Sequence, residues 1–516
     1  MNRTQSRLFI TLLLLLSLAA MILVIVSTPT GIGNTPDSIH YVTTTRSILS
    51  GAGWIDYSEN LYDVWGPGYP LMLTFLNTLG GWFGLGLLEM IRLHNVALYG
   101  LLVFFSGLTF QRYTRSSVLS LLGTIWVLLS HVLLLVYAFA WSEPLFLLLV
   151  VLFFYFLADI PRMTQFRQLL PLVLVTAAAV LQRYPGAPLV PLGALSILLL
   201  MRTQPIVKRF IYAFGFGVLA SAPLLLWLLR NYAITGTILG SRVDIPNPLM
   251  GQIGRAYAIL VDWFTTNPLN IGYLDLLVVL VVALLLFVAA VYWRYRSLTP
   301  AAFGKMLAIP LASVSLFLWI VIYVGVAILR ATHSPDVLEN RVLSPIYIPL
   351  LCLILLALTK LAEVLSIRAR RSWLGSAVSA GLLLLMMAYP VYQGLDATAY
   401  RMVACCQQPW ADSELMQWVG SQEYPGKVYS NTYAPMVTSD VLIYRLPPTL
   451  ELFEAGFPAD DEGLTIILVD DLEAQGCVYS RQCITPDYTP QTLAQNFNVE
   501  TLFENEEGQV YRVTMR

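Results

Sequence analysis

Asp37, His40 and Tyr41 stand at positions i, i+3 and i+4, and they share one face if this stretch is helical. They follow an apolar run, residues 8–26, that has no charged residue and is long enough to cross a bilayer. A carboxylate beside an imidazole and a phenol, at the edge of a membrane, suits acid–base chemistry on substrates held there. The same aspartate also suits a purely structural role as the N-cap of the helix it begins.

The composition of the 516 residues limits the class of protein more sharply than any single motif does. Hydrophobic residues make up 57% of the chain and charged residues only 12%, with a mean hydropathy of +0.69. Because one soluble core cannot take up so much apolar surface, we expect a polytopic membrane protein. The formal net charge is -1 and no basic stripe is interleaved with aromatics, so no nucleic-acid partner is expected.

About eleven apolar runs have the length or composition of membrane-spanning helices, which need roughly 20 residues. They are residues 8–26, 86–109, 117–139, 144–158, 169–182, 186–200, 210–229, 273–293, 306–329, 342–359 and 373–392. The fourth, fifth and sixth runs are short, and Pro185 and Pro188 suggest that the fifth and sixth form one broken helix. The predicted fold is therefore mainly α.

Lys and Arg collect in alternate loops, such as those with Arg112 and Arg115 or with Arg202 and Lys208, and the positive-inside rule assigns these loops to the cytoplasm. The N-terminus is then cytoplasmic, and residues 393–516 face the exterior. The first apolar run is longer than a signal-peptide core, so we expect a retained anchor. The exterior segments lack glycosylation sequons, which favours a bacterial cytoplasmic membrane.

A change of composition near residue 393 divides the chain into two predicted domains. Residues 1–392 form the membrane domain, whose long first exterior loop, residues 27–85, is rich in aromatic and turn residues and is expected to hold interfacial helices. Residues 393–516 set short apolar strands, such as 427–430 and 465–469, among polar turns. This pattern predicts a small α/β domain outside the membrane.

The exterior domain also carries acidic pairs and cysteines. The acidic groups are Asp460, Asp461 and Glu462, followed by Asp470 and Asp471; they resemble metal ligands only loosely, because loop carboxylates are usually solvated. The exterior cysteines are Cys405, Cys406, Cys477 and Cys483. A disulfide between the last two and free thiols are both compatible with the sequence.

Five short stretches occur in the order and on the side of the membrane at which a known family has them. They are Asp37-Ser38-Ile39-His40-Tyr41 with Leu49-Ser50-Gly51-Ala52-Gly53; Trp65-Gly66-Pro67-Gly68-Tyr69-Pro70; Ser142-Glu143-Pro144-Leu145-Phe146; Gln182-Arg183-Tyr184-Pro185-Gly186; and Asn340-Arg341-Val342-Leu343-Ser344-Pro345. On these stretches the chain resembles the GT-C glycosyltransferases of the protein-mannosyltransferase and aminoarabinose-transferase type, which take sugars from polyprenyl-phosphate carriers. The resemblance covers most of residues 1–360 and implies a GT-C fold.

The resemblance also implies roles for individual residues. The aspartate of the first exterior loop is the catalytic carboxylate of the family, which places the general base at Asp37. Many members carry a second acid directly after it, whereas this chain has Ser38. The candidate phosphate ligands are the exterior arginines next to span ends, for each of which a snorkelling interface side chain is the alternative. They are Arg183, Arg230, Arg242 and Arg341.

Three further residues complete the candidate site. Glu143 opens a helix directly after Ser142, so a cap and a ligand both remain open, and in some relatives an acid near this place binds a divalent metal. His40 is a candidate contact to Asp37 or to the acceptor, with simple packing as the alternative. Tyr41 is a candidate for stacking on a sugar, with membership of the interfacial aromatic belt as the alternative. No cofactor is required, and metal dependence stays open.

The chemistry of sugar transfer from a lipid phosphate fits one carboxylate. A hydroxyl that attacks an anomeric carbon gains typically about 100- to 10,000-fold from a base within hydrogen-bond reach. A phosphate leaves without protonation, and a fixed arginine stabilises its growing charge. We therefore expect an inverting hexosyl- or pentosyltransferase that uses a polyprenyl-phosphate-linked donor and an unidentified acceptor at the bilayer surface. The alternatives are a polysaccharide polymerase or ligase of related fold, and a polytopic transporter.

Overall fold

The computed structural model describes most of the predicted membrane domain, residues 1–392, and parts of residues 393–516, which are called the exterior domain after their predicted location. The described residues are 3–29, 31–240, 246–264, 311–333, 338–369, 372–399, 413–432, 434–438, 441–447, 449–455, 463–469 and 488–516. The predicted span 273–293, Arg242, the four exterior cysteines and the acidic groups at 460–462 and 470–471 lie outside these residues.

The described part of the membrane domain is helical. Its helices are α1 (Arg3–Ser27), α2 (Pro36–Leu49), α3 (Gly68–Gly81), α4 (Leu87–Thr114), α5 (Ser117–Leu128), α6 (His131–Tyr137), α7 (Glu143–Leu157), α8 (Leu170–Gln182), α9 (Leu189–Leu200), α10 (Ile206–Thr235) and α11 (Leu249–Asp262), followed by Leu311–Ala331, Asn340–Leu343, Tyr347–Ala369 and Ser372–Ala399. In its described residues, every predicted span except 273–293 falls on one of these helices or on a neighbouring pair of them, and residues 306–310 of the predicted span 306–329 lie outside the described residues.

Among the described residues, seven helices are long and apolar enough to cross a membrane, and the bent pair α5 and α6 makes an eighth if it is one span. The pair bends by 53°, and the N-cap of α6 is Ser130, whose Oγ accepts a hydrogen bond from the Leu133 amide. Helices α8 and α9 are shorter and are separated at Arg183, which has extended backbone. The chain is thus an integral membrane protein, but the predicted count of eleven spans is not confirmed.

Residues 27–85, the first exterior loop of the prediction, contain two helices, α2 and α3, as predicted. Helix α2 begins after Thr35, whose amide donates to Ser38 Oγ at 3.0 Å. Helix α3 begins at Gly68, where the loop passes against the end of α8. A Cβ atom on Gly68 would lie 2.8 Å from the Gln182 Cα atom, so the close approach of these two backbones requires a glycine. This contact brings the first loop to Arg183.

The exterior domain contains the predicted sheet. Its strands are β1 (Val428–Ser430), β2 (Tyr444–Arg445), β3 (Leu464–Val469), β4 (Phe497–Asn505) and β5 (Gly508–Met515), and its helices are Glu414–Ser421, Ala434–Thr438, Leu450–Ala455 and Pro490–Leu493. The strand order is β2-β1-β3-β5-β4. Strand β1 pairs in parallel with β2 and β3, whereas β5 pairs antiparallel with β3 and β4. The small α/β sheet and the mainly helical membrane part both confirm the predicted fold class.

Candidate active site

Asp37 lies in the first turn of α2 and contacts Arg341, which is 304 positions later in the chain. Its Oδ2 accepts a hydrogen bond from Arg341 Nη1 at 2.7 Å. The Asp37 side chain is 32% exposed and that of Arg341 is 19% exposed. The N-cap of α2 is Thr35, so the interpretation of Asp37 as a cap is wrong. Its carboxylate is instead part of a partly open ion pair.

Arg341 is held from three sides. Besides its contact with Asp37, its Nε donates to Glu339 Oε2 at 3.1 Å. Its guanidinium carbon lies 4.8 Å from the centre of the Trp141 ring, a cation–π contact. Trp141 is itself fixed, because its Nε1 donates to Thr35 Oγ1 at 2.8 Å. The arginine is therefore oriented before any ligand arrives.

A second, buried ion pair joins Glu143 and Arg183. Arg183 Nη1 contacts Glu143 Oε1, and the two side chains are 13% and 3% exposed, respectively. Ser142 Oγ donates to the other Glu143 oxygen at 3.4 Å, and Gln182 Nε2 donates to the Ser142 carbonyl at 3.1 Å. Glu143 is the first residue of α7, and Arg183 directly follows the end of α8. The packing of these two helix ends therefore creates the pair.

Tyr41, on the same helix as Asp37, contacts the serine next to Glu143. It is buried, and its hydroxyl lies 3.5 Å from Ser142 Oγ. Burial, and then the negative charge of Asp37, raise the pKa of Tyr41 above its usual value. The phenol therefore stays protonated at neutral pH. Its ring packs edge-on against Tyr69, with ring centres 4.9 Å apart, so in this structure Tyr41 packs within the loop.

His40 faces a different carboxylate. Its Nδ1 lies 3.2 Å from Asp56 Oδ2, and its ring centre lies 5.0 Å from that of Trp65. Asp56 is held in place because its Oδ1 accepts the amides of Ser58 and Asn60 at 2.9 and 3.0 Å. His40 thus connects α2 to the turn at residues 54–62, and its predicted contact with an acceptor stays a prediction.

Arg230 contacts the first loop near Tyr62. It donates to the Tyr62 carbonyl at 3.2 Å and to Asn231 Oδ1 at 3.0 Å, and its guanidinium lies 4.7 Å from the Trp227 ring centre. Asp63, the residue after Tyr62, is buried, and this burial raises the pKa of its carboxyl. Arg242 lies outside the described residues. The structure therefore brings Asp37, Tyr41, Glu143, Arg183 and Arg341 together, whereas Arg230, on α10, contacts the first loop at Tyr62.

Sequence reasoning missed three residues that shape this site: Trp141, Glu339 and Asp56. Trp141 directly precedes the Ser142-Glu143 stretch and Glu339 directly precedes Asn340-Arg341, so proximity in the chain is the signal that was present. Among the described residues, no three His, Cys, Asp or Glu side chains come together as a metal site would require. The Glu143 carboxylate is instead paired with the guanidinium of Arg183.

The comparisons with known proteins find likeness in structure only. No protein-family model matches the chain, and no characterised protein matches it in sequence. ArnT from Cupriavidus metallidurans, solved with undecaprenyl phosphate, is similar over 99% of this chain and 98% of its own, at 11% identity and a TM-score of 0.54.

Two further solved structures share the same architecture. The archaeal oligosaccharyltransferase AglB from Archaeoglobus fulgidus, in complex with an inhibitory peptide and a dolichol-phosphate, is 12% identical over 100% of this chain and 75% of its own, with a TM-score of 0.52. The arabinofuranosyltransferase AftD from Mycobacteria is 14% identical over 98% of this chain and 41% of its own, with a TM-score of 0.53. These proteins are GT-C glycosyltransferases, and the predicted resemblance is confirmed at the level of structure. This chain has the GT-C fold.

Proposed function

We propose that the protein is a membrane glycosyltransferase that moves a sugar from a polyprenyl-phosphate carrier to an acceptor hydroxyl at the exterior surface. The observation that carries the proposal is the contact between Asp37 and Arg341. It joins a carboxylate that suits a general base to a cation that suits a phosphate, in a partly open position. The fold supports the donor class, because ArnT has the same fold and is solved with undecaprenyl phosphate.

The proposed reaction is a single displacement. The acceptor oxygen forms a bond to the anomeric carbon while the bond from that carbon to the phosphate oxygen breaks, and Asp37 takes the acceptor's proton. The electron pair leaves with the polyprenyl phosphate, which gains negative charge. Because attack and departure occur on opposite faces of the sugar, the anomeric configuration inverts. One carboxylate suffices, since this leaving group needs no proton.

Arg341 is the proposed ligand of the departing phosphate. A guanidinium carries five N–H donors in a planar fork, and its contacts with Asp37 and Glu339 use two of them. The remaining donors suit phosphate oxygens without loss of the contact that orients the base. Arg341 would thereby keep the base and the leaving group at a fixed separation. Charge stabilisation by such a preoriented donor acts where charge develops in the transition state.

Arg183 and Glu143 form the buried part of the proposed site. Their buried pairing supports a positioning role, in which Ser142 and Tyr41 transmit the position of Glu143 to α2. A direct contact of Arg183, Arg230 or Arg242 with phosphate stays a prediction. The positive-inside distribution supports an orientation with the N-terminus in the cytoplasm and Asp37 at the exterior face, and the lack of glycosylation sequons in the exterior segments supports a bacterial cytoplasmic membrane.

Purified full-length protein in lipid nanodiscs tests the proposal. Binding of undecaprenyl phosphate alone is measured by native mass spectrometry, and turnover by release of undecaprenyl phosphate from sugar-loaded carriers in the presence of envelope extract as the source of acceptor. We expect saturable binding and released carrier. Absence of both in well-folded protein would overturn the assignment, whereas export of an unmodified sugar across a sealed vesicle would favour a transporter.

A further inference from the structure

The exterior domain makes a direct contact with the helix that carries Asp37. Arg46, in the last turn of α2, is 9% exposed and inserts its guanidinium into this domain. Its Nη1 donates to the Val441 carbonyl at 2.9 Å and to the Met436 carbonyl at 3.3 Å, and its Nη2 donates to the Met436 carbonyl at 3.2 Å. One buried arginine thus holds two segments of the exterior domain against α2.

A second connection runs through the turn at residues 54–62. Glu59, at its tip, has a φ of 59°, a left-handed conformation that is strained for a residue with a side chain. Its carboxylate accepts the Tyr429 hydroxyl at 2.6 Å and pairs with Lys427. In the same turn the Tyr57 carbonyl accepts the Arg445 amide at 2.8 Å. The turn is therefore bonded to strands β1 and β2.

The same turn also contacts α2. Asp56 bonds its own turn through Oδ1 and faces His40 through Oδ2. His40 is one helical turn away from Asp37. Contacts therefore run without a break from strands β1 and β2 to the turn at residues 54–62, and from Asp56 in that turn through His40 to α2, which carries Asp37.

Packing reinforces both connections. Ile39 and Val42 of α2 belong to one buried hydrophobic cluster with Leu415, Ile467 and Val510 of the exterior domain. Such shared burial means that α2 cannot shift without disturbing the domain's own core. The exterior domain and the first loop therefore pack as one unit at this point.

We infer that the exterior domain sets the position of the base, with Arg46 and Asp56 as positioning residues; this inference rests on the proposed function of Asp37. Arg46 follows Asp37 by nine positions, a rise of about 13.5 Å along a helix. Because a helix of this length is stiff, fixing its last turn fixes the direction of its first. A displacement of about 1 Å at a reacting group can cost about 100-fold in rate.

The chemistry of Arg46 favours positioning over simple filling of space. A buried guanidinium is costly unless its N–H groups are bonded, and an apolar side chain of similar length would fill the same volume without that cost. What the arginine adds is direction, since its planar fork bonds carbonyls from two separate segments at once. Arg46→Met keeps the length and removes the bonds, whereas Arg46→Lys keeps the charge and part of the bonding.

The test compares full-length Arg46→Met, Arg46→Lys and Asp56→Asn with wild type, and uses Arg512→Met as a control because Arg512 is exposed on β5. Three quantities are measured: the melting temperature, hydrogen exchange of residues 36–49, and the kcat and KM for the sugar-loaded carrier. We expect Arg46→Met to lower kcat by about 100-fold with little change in KM, and to accelerate exchange within α2. The lysine variant should restore part of kcat, and the control should match wild type.

Each outcome decides the inference. Normal kcat and normal α2 exchange in Arg46→Met and Asp56→Asn would overturn it while leaving the proposed function intact. A lower melting temperature with uniformly faster exchange and an unchanged kcat would also overturn it, because the role would then be structural only. If Arg46→Met does not fold, Asp56→Asn decides through the second connection. If wild type has no transferase activity, the proposed function fails, and α2 exchange alone decides whether the domain positions this helix.

Discussion

Asp37 and Arg341 are 304 positions apart in the chain and meet through a 2.7 Å hydrogen bond between Oδ2 and Nη1. The contact joins the first turn of α2 to the short helix Asn340–Leu343 at the start of a late span. The fold thereby brings a carboxylate and a guanidinium into contact in a partly exposed position.

Asp37→Asn should fold normally and lose at least about 100-fold in turnover. The amide is nearly the same size and its oxygen still accepts a bond from Arg341, but it does not take a proton at neutral pH. Release of undecaprenyl phosphate and the melting temperature are the two measurements. Glu504→Gln, an exposed acid on β4, is the control. Near-normal turnover in Asp37→Asn would show that another group is the base.

Arg341→Met should weaken binding of undecaprenyl phosphate by about 10-fold or more, because a bond to a charged group contributes about 1.5–3 kcal/mol. Native mass spectrometry measures the affinity, and Arg330→Met is the control, since Arg330 is an exposed arginine in the last turn of the helix Leu311–Ala331. Unchanged carrier affinity in Arg341→Met would restrict this arginine to orienting Asp37.

Single removal of either partner in the Glu143–Arg183 pair should lower stability by about 3–5 kcal/mol, because a buried charge is left without its partner. Glu143→Gln combined with Arg183→Met should cost less than the sum of the two changes. Thermal unfolding of the wild type, the two single variants and the double variant in detergent measures this double-mutant cycle. Additive effects would contradict the pairing, and a carrier affinity that falls only in the Arg183 variant would reveal a phosphate contact for that residue.

Gly68→Ala should disturb the first loop, because the added Cβ would lie 2.8 Å from the Gln182 Cα atom. A backbone atom cannot move aside as the end of a flexible side chain can. Overpacking of this kind costs typically about 1–3 kcal/mol. Gly81→Ala is the matched control: it lies in the same helix and has nothing within 4 Å of the added atom. Equal melting temperatures for the two variants would contradict the close approach.

The stability of the exterior domain should fall at acidic pH through Glu507. Burial alone would raise the pKa of this carboxyl, but bonds from the Leu415 amide and the Ser413 hydroxyl outweigh burial and lower it. The ionised form therefore stabilises the domain above the ordinary glutamate pKa of about 4.3, and this contribution is lost as the pH falls through the lower native value.

The corresponding comparison is between wild type, Glu507→Gln and the exposed control Glu500→Gln. Limited proteolysis of the full-length protein follows unfolding of the domain as a function of pH. Glu507→Gln should be the least stable near neutral pH and should converge with wild type in acid. A difference that persists unchanged at the lowest pH would show that the carboxylate charge is not what stabilises the loop.

Local patterns predicted much of this molecule. Long apolar runs predicted the spans, because the length of an apolar helix is a property of a single segment. Short apolar stretches set among polar turns predicted β1 and β3 for the same reason. The break between α8 and α9 was visible as Pro185 and Pro188. The expectation of a carboxylate at the start of an interfacial helix is also local, and α2 has Asp37 in its first turn.

Tertiary structure decided how the charged groups are paired. From the sequence, Arg183 and Arg341 were equivalent exterior arginines next to span ends; in the fold one is buried against Glu143 and the other bridges Asp37 and Glu339. Likewise, no local pattern linked Arg46 to carbonyls almost 400 positions away. An apolar run determines that a helix forms and which residues flank it. Which flanking residues meet depends on how helix ends pack, and that is a property of the whole chain.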